Sequence, residues 1–81
     1  MRCKMTEFDN LKNRYVLAVQ ISLATNNGYG AAKRSNEMFH KYCENLVERS
    51  NYADTAKSFM KSELKLLKEA MSNEIERYYG R

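Results

Sequence analysis

Apolar positions recur along this chain with the 3.6-residue period of an α-helix, in three blocks separated by two short polar breaks. That pattern predicts an all-α protein of three helices.

The first block begins at Thr6-Glu7-Phe8-Asp9, a variant of the capping box in which the Thr hydroxyl accepts a backbone N–H of the first turn, and it should run to about Asn26. Phe8, Leu11, Tyr15, Ala18, Val19 and Ser22 share one face, joined by Val16 and Leu23. Leu17, Ile21 and Ala24 project from the opposite side, so the second half is apolar nearly all round and is expected to be sandwiched between neighbours. Asn26-Asn27-Gly28-Tyr29-Gly30 is the strongest break, because Asn and Gly tolerate the backbone that ends a helix. A second helix over 31–49 should bury Ala31, Ser35, Met38, Phe39, Tyr42, Cys43 and Leu46. Its wet side carries Lys33, Arg34, Glu37, His40, Lys41, Glu44 and Glu48.

Ser50-Asn51, with Asp54 three residues later, supplies the second turn and a third helix start. From Asn51 to Tyr79 the chain is one long helical pattern, in which Met60, Leu64, Leu67, Met71, Ile75 and Tyr78 form a packing seam. Phe59, Leu66 and Ala70 lie on a second line, displaced around the axis. Short turns predict an up-down-up bundle, and the third helix, at about 43 Å against about 30 Å for the others, should overshoot its neighbours. Its overhang at Ile75 and Tyr78 is to be covered by Tyr29 or by another chain, which leaves the bundle able to oligomerise through that helix.

Composition narrows this picture. The 81 residues hold one small domain, expected over 6–81 behind a loosely ordered lead at 1–5, with Met5 an alternative start. Hydrophobic residues at 43% and charged residues at 30% argue for a folded chain, and the absence of Pro favours long helices. No apolar run approaches the roughly 18 residues of a membrane span, and no signal peptide leads the chain. With Cys3 and Cys43 too few for a disulfide scaffold, a cytoplasmic setting is expected, in which Cys43 reads as a small buried hydrophobe.

No motif carries catalytic chemistry. His40 lacks the three converging ligands of a metal site and reads as solvated; Glu37, Glu44 and Glu48 sit on a face expected to be wet; no phosphate loop follows a strand. The expectation is therefore a non-enzymatic protein without metal or cofactor. It would bind a partner protein or a second copy of itself through surplus apolar and aromatic surface: Leu17, Ile21, Tyr29, Phe59, Leu66 and Tyr79. Tyr52 and Tyr78 read instead as caps on the bundle ends. A small Asn-, Lys-, Met- and Tyr-rich domain of this kind suits a phage or mobile-element accessory or inhibitor that acts by occluding a host complex. The alternative is a nucleic-acid-binding module. Lys57, Lys61, Lys65 and Lys68 make a basic row on the third helix, with Arg34 and Arg77 in support, and the net charge of +4 permits that reading without demanding it.

Overall fold

In a computed structural model, which describes residues 5–25 and 28–80, the chain folds into three helices: α1 (Met5–Ala24), α2 (Tyr29–Glu48) and α3 (Asp54–Tyr78). Met5 is the first residue of α1. The side chain of Thr6, with its expected capping role, and Asn26 and Asn27 of the first break lie outside the described residues, as does the 1–4 lead.

Both breaks differ in detail from expectation. Gly28 adopts φ 103°, and its carbonyl accepts the Ala32 N–H at 3.0 Å, so Tyr29 and Gly30 already belong to the first turn of α2. At the second break the Ser50 hydroxyl donates backward to the Val47 carbonyl at 2.6 Å, and the Ser50 N–H reaches the same carbonyl at 3.1 Å. Ser50 therefore closes α2, satisfying one of its orphan carbonyls, and does not open α3. The third helix starts three residues later than expected, at Asp54, whose carboxylate suits the positive end of the helix dipole.

One core joins the three helices. Phe8, Tyr15, Val19 and Leu23 enter from α1; Ala32, Cys43 and Val47 from α2; Met60, Leu64 and Ile75 from α3. Polar contacts mark which ends meet. Tyr29 at the start of α2 donates its hydroxyl to Glu76 near the end of α3, and Lys61 near the start of α3 pairs with Glu48 at the end of α2. Ser22 and Ser35 bond at 3.3 Å where α1 ends and α2 begins, while Lys12 of α1 lies 3.5 Å from Glu63 of α3. Among the described residues one polar residue, Asn36, is buried in the core. Its Oδ1 accepts the Tyr15 hydroxyl and its Nδ2 donates to the Lys68 carbonyl at 3.1 Å, so one amide links α1, α2 and α3.

The α2 face is rotated from the sequence expectation. The buried stripe is Ala32, Asn36, Cys43 and Val47, whereas Met38 at 69% and Tyr42 at 61% exposure turn outward, with Leu46 at the edge. The cause is the neighbours: α2 packs more extensively on α3 than on α1, which turns its inward line toward α3 and lifts Met38 and Tyr42 out of the α1 side. His40, expected to be solvated, is carried inward by the same rotation, leaving its side chain 13% exposed. On α1, Leu17, Ile21 and Ala24 are exposed within the chain and are not sandwiched. The expected overhang of α3 is closed at Ile75, which is fully buried beside Tyr29 and Tyr79 packed edge-to-face at 5.9 Å, but not at Tyr78, which the seam spacing placed inward and which is 55% exposed.

Candidate functional site

Two grooves flank α2, and their chemistry is opposite. Between α1 and α2 runs an apolar groove of about 390 Å³, lined by Leu11, Tyr15 and Ala18 on one side and Met38, Phe39, Tyr42 and Cys43 on the other. Arg14 stands at its α1 rim and also borders the adjoining concavity that contains Leu17. Small Ala18 lies in the α1 wall, and Met38 and Tyr42, turned outward by the rotation of α2, stand in the other. Burial pushes the Cys43 thiol and the Tyr15 hydroxyl above their ordinary pKa values, so both stay protonated and neither supplies a nucleophile at neutral pH.

Between α2 and α3 lies a wider polar groove of about 610 Å³. The α3 wall presents Lys61, Lys65 and Lys68 with Ser58, Ser62 and Ser72, and α2 contributes His40 and Glu44. Three of the four lysines of the expected row, Lys61, Lys65 and Lys68, thus share one groove that Lys57 does not line, and the four are not equivalent. Lys57 donates to the Glu48 carbonyl at 2.8 Å and Lys61 pairs with the Glu48 carboxylate. That bond lowers the Glu48 pKa and raises that of Lys61. Arg77 pairs with Glu74 on the outer side of α3, and Arg34 borders a neighbouring concavity with His40 and Lys68. Lys65 and Lys68 have no ion pair among the described residues.

The apolar residues singled out in sequence divide similarly. Leu17, Ile21, Phe59 and Leu66 are all more than half exposed. Tyr29 and Tyr79 instead pack on their own core, while Tyr78, expected as a cap, is the tyrosine exposed at that end. Tyr52 caps the opposite end, its hydroxyl 3.1 Å from Glu7. Asn36 went unrecognised in sequence, although Ala32, Asn36, Cys43 and Val47 stand on one helical line. An Asn on such a line signals a buried amide with partners waiting.

His40 carries a measurable consequence. Burial lowers its pKa most; Glu44, 3.7 Å away, pulls it up, Lys68 pushes it down, and burial wins. A histidine held below its unfolded value of about 6.5 contributes stability that is complete above that pH and is lost as pH falls below it. The urea midpoint of the wild type should therefore decline between pH 7.5 and 5.5, and His40→Gln should flatten that decline. An equal decline in both proteins would show that His40 is not its source.

Among the described residues no group of three His, Cys, Asp or Glu side chains stands together as a metal site, and no helix is long and apolar enough to cross a membrane. No family model, no curated protein and no solved structure matches the chain.

Proposed function

We propose that this protein is a non-enzymatic interaction module, an up-down-up helical bundle that pairs with a second copy of itself through its α1/α2 face. The carrying observation is the groove lined by Leu11, Ala18 and Phe39 together with exposed Met38 and Tyr42. A two-fold axis through a face that holds both a furrow and raised apolar side chains would bring the ridge of each copy to the furrow of the other. Met38, Tyr42 and Leu46 stand exposed beside this groove, apolar area of the kind that a standard interface of ~800 Å² per partner takes in. A domain this small gains more from such pairing than a large one, because so much of its apolar surface remains uncovered after folding.

The reading supports action by occlusion, in which a surface is covered and no bond is made or broken. The second apolar line, Phe59, Leu66 and Ala70 on α3, is exposed as its spacing suggested and offers a separate contact for a larger assembly. A nucleic-acid module has less support: Lys57, Lys61 and Arg77 already have acceptors within the chain.

Sedimentation velocity tests the proposal. The wild type should dimerise at tens of micromolar, and Met38→Glu combined with Tyr42→Glu should weaken association at least tenfold while helicity is retained, because two carboxylates would be desolvated at the seam. Leu66→Glu should leave the dimer intact. Dissociation by Leu66→Glu alone would transfer the interface to α3, and a wild type that stays monomeric at ~100 μM would remove self-association as the function.

A further inference from the structure

The α2/α3 groove has a chemistry that pairing through the α1/α2 face does not use. We infer that it binds a small phosphomonoester, with the phosphate dianion held by Lys65, Lys68 and His40. Three independent features converge there. The first is charge: Lys65 and Lys68 both line the groove and neither forms an ion pair among the described residues, whereas Lys61 beside them pairs with Glu48. The second is the orphaned ring nitrogen of His40. Nε2 is buried and makes no hydrogen bond, with Glu44 too far at 3.7 Å, and buried polar atoms without partners are rare enough to point at a missing one. The third is preorganisation. Asn36 fixes the Lys68 carbonyl at 3.1 Å, so the stem of that lysine starts from a pinned turn of α3 beside His40.

The donor set favours phosphate over carboxylate. Ammonium groups, an imidazole and the hydroxyls of Ser58, Ser62 and Ser72 can serve three oxygens and a double charge, whereas a carboxylate offers two oxygens and one charge. Glu44 and Glu69 also line the groove, and Glu37 and Lys41 lie with His40 in the concavity alongside. The acidic residues offset part of the field. What remains suits one compact dianion better than a long polyanion. The volume of about 610 Å³ exceeds what bare phosphate fills and falls in the range of small-molecule sites, leaving room for the body of the ester.

His40 is the single histidine of the chain, so its ring protons report on the site without assignment ambiguity. The full chain is titrated from pH 5.5 to 8 by NMR with and without inorganic phosphate or a ribonucleoside monophosphate, ionic strength being held constant with chloride. A dianion beside the ring favours the imidazolium, so the His40 pKa should rise by about half a pH unit or more, saturably. The monophosphate should act at lower concentration than free phosphate. Lys65→Gln and Lys68→Gln, which keep the backbone and the Asn36 contact, should each weaken the response at least tenfold with helicity unchanged. No change in the His40 titration at ~20 mM of either ligand, a concentration that would reveal even millimolar binding, overturns the inference. So does a response that survives both lysine substitutions, or an equal response to an oligonucleotide carrying diester but no terminal phosphate.

Discussion

Replacing Leu64 by alanine is expected to destabilise the protein by about 3 kcal/mol, inside the 2–5 kcal/mol span of buried Leu→Ala changes. Leu64 is fully buried on α3, within the same cluster as Met60 and Ile75. Deleting its isobutyl group removes apolar contacts and leaves a cavity that rigid helices fill only in part. A single small core rarely supplies more than ~3–5 kcal/mol, so this one change takes most of the stability. Leu66→Ala, two residues along the same helix, removes the same atoms from a side chain that is 61% exposed and should cost under about 0.5 kcal/mol. Urea unfolding followed by circular dichroism, at concentrations below those that drive association, compares the two directly. Equal losses would mean that α3 presents a different face to the core.

Asn36→Ala is expected to cost roughly 1–3 kcal/mol for a different reason, the loss of a buried amide that bonds to both neighbouring helices. The Tyr15 hydroxyl is buried and relies on Asn36, whose amide oxygen and main-chain carbonyl both face it, the latter at 3.1 Å. Once the amide is gone, the hydroxyl keeps only the longer contact, and no water replaces what was lost without opening the core. The Lys68 carbonyl suffers less, since a carbonyl inside a helix already accepts a bond from four residues ahead. Tyr15→Phe alone should cost about 1–2 kcal/mol. Tyr15→Phe combined with Asn36→Leu should be more stable than the sum of the single losses by about 1 kcal/mol, because the two single changes each remove the same hydrogen bond. Strictly additive losses across that cycle would contradict the coupling.

These two sites show how far the sequence could be read. Leu64 was legible because α3 meets its neighbours along the stripe that carries its most regular apolar spacing, and Met60, Leu64 and Ile75 are buried as their period requires. On α2 the apolar residues were split between two lines. Counting favoured Met38, Tyr42 and Leu46, but the angle at which α3 packs chose Ala32, Asn36, Cys43 and Val47. Helical period defines which residues share a side; it does not say where two neighbours will press. The apolar groove arose from that misfit, and no single-helix pattern contains it. The lysine row was legible as a line, whereas the difference between Lys61, already paired, and Lys65 and Lys68 depended on where Glu48 falls at the end of another helix.

Gly28 shows a separate kind of constraint. With φ 103° and no atom within 4 Å of where a Cβ would stand, the site has room for a side chain but the wrong hand for it. Its backbone is the mirror image of an ordinary extended residue, so an L-amino acid would be strained there by its own chirality and by nothing around it. A D-alanine would occupy the same torsions as its own relaxed form. It would also restrict the unfolded chain, which makes the α1/α2 turn a place where mirror-image chemistry could stabilise the protein and glycine is only the best choice among natural residues.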